Sequence, residues 1–266
     1  AGLFAMDRAD GAVRWMHEAT ILNPTITAAG ARVYFVGSDS RRLATHPTGR
    51  IFLSPFMAEA PQLTALELGT GQVAWEQPLD PFMQICTNIL YLQATAERLV
   101  LSGSYTRDND SWYRVAVINA ATGETLWTAE HAKNKPGEFS HGEQVHHPVL
   151  LGNRLVAEPV IYDLAEGRRV PPRGEPGSWT LKRPAHSCGT MSGAGDCLFF
   201  RSGNPTVMGL DSELQGEGRF RSISPSRPGC WINIIPADGL VLIPEASASC
   251  VCHYSLQTSM AFQAVP

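Results

Sequence analysis

One pattern of apolar and polar positions recurs along this chain: an apolar residue, then Asp, Glu or Asn, three variable residues, Gly, three more, and Trp. It runs from Met6-Asp7 through Gly11 to Trp15, from Leu66-Glu67 through Gly71 to Trp75, and from Ile118-Asn119 through Gly123 to Trp127. A fourth copy, Tyr162-Asp163 through Gly167, has Pro171 in the tryptophan position, and a looser fifth runs from Leu210-Asp211 to Gly216. Residues ahead of the acidic or amide position alternate as a strand should, as in Leu63-Thr64-Ala65-Leu66. The stretch Gly69-Thr70-Gly71 can supply the positive φ of a hairpin turn, and an Asp or Asn side chain can bond its own turn backbone. The strand that follows ends on a large indole suited to packing between sheets. Each copy therefore predicts a β-hairpin.

Between the hairpins lie apolar segments, each preceded by a turn: Ala31–Val36, Arg98–Leu101, Arg154–Ala157, Asp196–Phe200 and Gly239–Ile243. They read as inner strands, one per repeat. The glycines at 11, 71, 123, 167 and 216 are separated by 60, 52, 44 and 49 residues. Those are blade-sized periods, close to the ~40–50 residues of propeller repeats. No stretch of helical period stands out. The expected fold is all-β, a β-propeller of four-stranded blades, with five to six blades in a single domain over 1–266. An ordinary β-sandwich or a pair of small β domains would not call for a tryptophan-ended hairpin at this spacing.

Composition agrees. Charged residues are sparse, at 17%, while 24 Gly and 19 Pro suit many short strands and tight turns. A net charge of −4 lacks the basic footprint of a nucleic-acid binder. No apolar run has the length of a membrane span. Neither a signal peptide nor an initiator Met is visible, so a processed or truncated form of a longer product is expected. Six cysteines in a loop-rich β chain favour disulfides and an oxidising, extracytoplasmic compartment.

The Gly-x-x-x-Trp hairpin resembles the PQQ-like repeat, found in quinoprotein alcohol dehydrogenases and in the outer-membrane assembly lipoprotein BamB. The resemblance covers most of residues 1–170. The last third, with His186-Ser187-Cys188-Gly189-Thr190, Arg227 to Asn233 and Pro244-Glu245 to Cys252, is similar to secreted PQQ-like-repeat proteins of planctomycete-type bacteria. The resemblance implies a ring of seven or eight blades, of which this chain holds part. PQQ dehydrogenases carry a vicinal Cys-Cys disulfide; this chain has none, which argues against PQQ. No cofactor is predicted, and a metal ion stays open.

Three local clusters carry the candidate chemistry. His141, His146 and His147 stand in one polar segment; His146 and His147 would point to opposite faces of a strand, so a shared ion would need His141. A plain polar loop is the ordinary reading of that segment. Cys188, Cys230, Cys250 and Cys252 suit two disulfides, with a soft-metal site as the alternative. Arg183, His186, Arg201, Arg227 and Glu245 lie beside inner strands or their ends, where propeller ligands gather. Of these, His186, Arg201, Arg227 and Glu245 are candidate catalytic groups, with Tyr105 and Tyr254 as conceivable partners; Arg183 joins the three histidines as a candidate ligand contact. Solvated or turn-capping side chains are the ordinary alternative. No phosphate loop, nucleophile elbow or zinc-protease motif is present. The Asp108-Asn109-Asp110 stretch reads as an exposed blade turn rather than a calcium loop. The expected function is an extracytoplasmic binding or assembly module for carbohydrate or a protein partner. The alternatives are a lyase-like enzyme acting on polysaccharide at the channel mouth, and a quinoprotein or metal-linked redox protein.

Overall fold

The computed structural model describes residues 2–47, 51–132, 147–170, 189–210, 220–226, 228–229, 234–245 and 258–263. The chain divides into two compact units, Ala1–Ala132 and Lys133–Pro266.

In unit 1 a two-stranded sheet pairs β1 (Gly2–Met6) with β2 (Val13–Glu18). A second sheet contains β3 (Thr20–Ile21), β4 (Thr27–Ala29), β5 (Arg32–Ser38), β6 (Gln62–Glu67) and β7 (Val73–Pro78), with β5 between β6 and the β3 and β4 segments. A third runs in order through β8 (Ile89–Ala94), β9 (Arg98–Arg107), β10 (Asp110–Asn119) and β11 (Thr125–Ala132). Unit 2 has three sheets of antiparallel neighbours. They are β12 (Val149–Leu151), β13 (Arg154–Ala157) and β14 (Val160–Asp163); then β15 (Ser192–Ala194), β16 (Cys197–Ser202), β17 (Asn204–Gly209) and β18 (Arg221–Ser222); then β19 (Ile235–Ala237), β20 (Leu240–Ile243) and β21 (Met260–Gln263). The expected inner strands are β5, β9, β13, β16 and β20, each flanked on both sides.

The repeated hairpin turn has one construction. The amide of Gly11, Gly71, Gly123 or Gly167 donates to the carbonyl of Asp7, Glu67, Asn119 or Asp163, at 2.8 to 2.9 Å. Those glycines sit at φ between 71 and 78°. Of the pair Gly69 and Gly71, only the second is left-handed. The side chains of Asp7, Asn119 and Asp163 each accept from the amide two residues on. Glu67 instead pairs with Arg32 at 3.2 Å. The register slips by one residue beside the first three turns, between Ala5 and Met6, Ala65 and Leu66, and Val117 and Ile118. This is a bulge entered through a left-handed glycine.

The tryptophans join one sheet to the next. A Cβ at Gly71 would stand 2.6 Å from the Trp15 ring, and one at Gly123 would stand 2.7 Å from that of Trp75. Trp15 Nε1 donates to the Leu68 carbonyl at 2.9 Å, and Trp75 Nε1 donates to that of Ala120 at 3.1 Å. Each indole thus lies on a turn with no side chain, and its one polar atom is satisfied. The second sheet is covered on both faces. Tyr34, Val36, Leu63 and Ala65 enter the main core with Leu92, Leu101 and Ala116 of the third sheet. Val33, Phe35 and Leu66 pack against Leu3 and Trp15 of the first. In unit 2 a separate core gathers Val149, Val156, Ile161, Leu198, Phe200 and Met208.

Three short α-helices sit in connections of unit 1 among the described residues. The β5–β6 connection holds α1 (Arg41–Ala44) and α2 (Leu53–Met57); the β7–β8 connection holds α3 (Pro81–Gln84). Leu43, Phe56, Met57 and Met83 anchor them in the main core.

Candidate functional site

The most highly organised polar group among the described residues stands at the end of the third sheet. Strands β9 and β10 run ten residues each, and β8 pairs with β9 only between Leu99 and Ser104. The β9–β10 hairpin therefore projects beyond β8. Asp108 and Asn109 both have positive φ, 52° and 64°, the backbone of a two-residue hairpin turn that Asp and Asn tolerate. Both are exposed. The Asp108-Asn109-Asp110 stretch is this turn.

A two-residue turn fixes the register, and the register fixes who shares a face. Arg107 pairs with Asp110, Tyr105 with Trp112, Gly103 with Arg114, and Arg114 with Glu130. Tyr105, Arg107, Trp112, Arg114 and Glu130 therefore lie on one face. Glu130 accepts from Tyr105 Oη at 2.9 Å, from Arg114 Nε at 2.6 Å and from Arg107 at 3.4 Å. Arg114 also donates to the Phe82 carbonyl of α3 at 2.7 Å, and its guanidinium lies 4.2 Å from the Phe82 ring centroid. The Arg107 guanidinium is stacked on Trp112, 3.2 Å from the ring centroid.

The electrostatics follow from these contacts. Burial would raise the Glu130 carboxyl, but the bonds from Arg114 and Tyr105 and the two arginine charges outweigh it and hold it below its ordinary value. Burial, reinforced by Glu130, raises the Tyr105 phenol. Cys86 closes the space over Gly103, where a Cβ would stand 2.6 Å from the Cys86 Cβ. Burial pushes its thiol up to about 12, with Arg114 pulling down and Glu130 pushing up. At neutral pH the group holds an ionised carboxylate, a protonated phenol and a thiol too buried to react. None of these three is poised to take a proton. What the site presents to solvent is Arg107, 42% exposed along its side chain and braced on an indole. Such a pair suits recognition.

In unit 2 the described candidates share one end of the sheets. His147 lies two residues before β12, Arg201 is next to last in β16, and Glu245 follows β20 by two residues. The pairings Val149 with Val156, Ser192 with Phe199 and Ile235 with Leu242 set these positions at the ends where β12, β15 and β19 begin. Arg201 is fully buried. Glu245 is exposed, and its amide donates to Ser259 Oγ at 3.0 Å. His147 is half-buried; burial lowers its pKa, partly offset by a contact of Nδ1 with the Pro148 carbonyl at 3.2 Å. Glu158, buried in the β13–β14 turn, joins the same end and was not foreseen. His141, His146, Arg183, His186, Arg227, Tyr254 and the cysteines Cys188, Cys230, Cys250 and Cys252 lie outside the described residues. The described cysteines, Cys86 and Cys197, are unbridged. Among the described residues no three His, Cys, Asp or Glu side chains gather as a metal site, and no helix is long and apolar enough to cross a membrane.

Sequence reasoning had reached Tyr105 but not Arg107, Trp112, Arg114 or Glu130. The available signal was the period-two placement of Tyr105 with Arg107, and of Trp112 with Arg114, either side of Asp108-Asn109.

A family model described as outer membrane protein assembly factor BamB matches residues 1–217. No curated protein matches the chain. Among solved structures, BamB from Moraxella catarrhalis is 13% identical with a TM-score of 0.52, the match covering 98% of this chain and 66% of that one. A prolyl endopeptidase is 14% identical with a TM-score of 0.53, covering 98% of this chain and 35% of that one. At such identities the likeness shows the fold alone, a β-propeller. The chain spans less than two thirds of either structure's length.

Proposed function

We propose that this chain, which belongs to the outer membrane protein assembly factor BamB family, is an extracytoplasmic propeller module that binds a protein partner. The observation that carries this reading is the Arg107–Trp112 pair at the tip of the β9–β10 hairpin. Stacking orders a guanidinium that would otherwise lose conformational freedom on binding, and arginine and tryptophan are the side chains that most often dominate protein interfaces. Glu130, Tyr105 and Arg114 brace the pair from beneath. The family's description as an outer membrane protein assembly factor supports the cell-envelope setting and the assembly role proposed here.

The test is a photo-crosslinking amino acid at Asp108, on the exposed turn, in the source cell. One discrete adduct with an envelope protein is expected, and it should vanish in the double variant Arg107→Glu, Trp112→Ala. A missing adduct, or one that the double variant leaves unchanged, would overturn the reading. Binding of an acidic oligosaccharide in place of a protein, abolished by the same double variant, would move the function to carbohydrate recognition.

A further inference from the structure

The two arginines of the β9–β10 hairpin use their guanidinium groups differently. Arg114 commits Nε to Glu130 and Nη1 to the Phe82 carbonyl, and its side chain is 18% exposed. Arg107, 42% exposed, stacks on Trp112 and makes one hydrogen bond among the described residues, from Nη1 to Glu130 at 3.4 Å. A guanidinium has five N–H groups in a planar fork that matches a carboxylate. Arg114 uses that fork within the fold. Arg107 is ordered by the indole and holds most of its fork to solvent.

The acids beside Arg107 are uncommitted as well. Asp110 stands directly across from it in the ladder, so the two share a face, yet the guanidinium lies on the indole and forms no ion pair with Asp110. Asp108 and Asp110 are both exposed, and neither carboxylate has a partner among the described residues. The tip therefore presents one cation flanked by two anions. A polyanion would be drawn to Arg107 but repelled by Asp108 and Asp110. A purely basic segment would set like charge against Arg107. A segment that carries both signs complements all three side chains.

We propose, on the protein-binding reading above, that this tip recognises a partner segment in which an Asp or Glu side chain lies close to a Lys or Arg. The partner's carboxylate takes the Arg107 fork, and its cation meets Asp108 and Asp110. Trp112 covers one face of the guanidinium, so the carboxylate approaches in the guanidinium plane and accepts from two parallel N–H groups. A lysine at this position would keep the charge and lose the fork. Paired strands lie ~5 Å apart and an extended chain rises ~3.3 Å per residue, so the partner's two charges stand about two residues apart.

The experiment places the photo-crosslinking residue at Asn109, exposed between the charged positions, and reads the adduct yield in the source cell and the partner peptide by mass spectrometry. The crosslinked peptide should contain an acidic and a basic residue at that spacing. Arg107→Gln should cut the yield about tenfold and Arg107→Lys nearly as much, while Asp108→Asn with Asp110→Asn should cut it about threefold. A discrete adduct whose yield none of these variants changes, or whose peptide has no carboxylate side chain, would overturn the inference and leave protein binding by the tip standing. A full yield in Arg107→Lys would overturn it too, because a point charge would then suffice. No adduct at all would remove the protein-binding reading and this inference together.

Discussion

The two units solve the same packing problem with different side chains. In unit 1 successive sheets meet through an indole laid on a left-handed glycine, with Trp15 on Gly71 and Trp75 on Gly123. In unit 2 the first two sheets meet through aliphatic groups: a Cβ at Gly193 of β15 would stand 2.5 Å from Val149 and 2.7 Å from Leu151, both of β12. Yet the turn at Asp163 and Gly167 repeats the hydrogen bonds of the unit 1 turns without their tryptophan, having Pro171 in that position. Turn and indole are therefore separable. The turn is local chemistry, set by a carboxylate or amide and a glycine. The indole is a long-range contact that only a neighbouring sheet can reward.

The sharpest way to break this comparison is Trp75→Ala. It removes a large side chain packed at the edge of the main core together with its bond to the Ala120 carbonyl. A loss of about 3–5 kcal/mol in urea unfolding is expected. Trp75→Phe, which keeps most of the ring packing but drops the donor, should cost about 1 kcal/mol. If both cost the same, the ring packing contributes nothing to the join; if Trp75→Phe costs nothing, the carbonyl bond is irrelevant to it.

Next in size is Gly71→Ala set against Gly152→Ala. Both glycines are left-handed, at φ of 71° and 56°. Only Gly71 lies under an indole; no described atom stands within 4 Å of a Cβ at Gly152. Backbone strain alone should cost about 1–2 kcal/mol at Gly152. Added overpacking against Trp15 should bring Gly71→Ala to about 3 kcal/mol. Equal losses would mean that the unit 1 glycines serve the backbone only.

The smallest effect concerns pH. Glu130 has its folded pKa held below the ordinary carboxylate value, so its contribution is complete above that ordinary value of 4.5. It is lost as pH falls through the depressed folded value. Stability measured between pH 3 and 7 should fall on acidification, and Glu130→Gln should flatten part of that slope.

The hairpins and interior strands were legible because both rest on short-range rules. Ala31–Val36 became β5 and Arg98–Leu101 became the start of β9, each with neighbours on both sides. The three helices were not legible. Each is four or five residues long, too short to show a period, and each is held by a few core contacts such as those of Phe56 and Met83. Only Asp80 followed by Pro81 marked a helix start, and its carboxylate does accept from the Phe82 amide at 2.9 Å. The tip cluster was missed for another reason. Tyr105, Arg107, Trp112, Arg114 and Glu130 become neighbours only once three strands are in register, and that register depends on two left-handed residues, Asp108 and Asn109. Arg201 shows the reverse difficulty: a charged residue at a strand end reads as solvated, but here it is fully buried.

The indole joins also set how far a disturbance travels. Each sheet of unit 1 is tied to the next by an indole bonded to a carbonyl and by the apolar side chains packed between them, so energy is shared chiefly between adjacent sheets, as in a row of coupled links. Cutting one link should loosen the two sheets it connects before any other. Hydrogen exchange would then speed up on both sides of a lost tryptophan and fade with each sheet beyond, so that stability is graded along unit 1 and is not a single shared quantity.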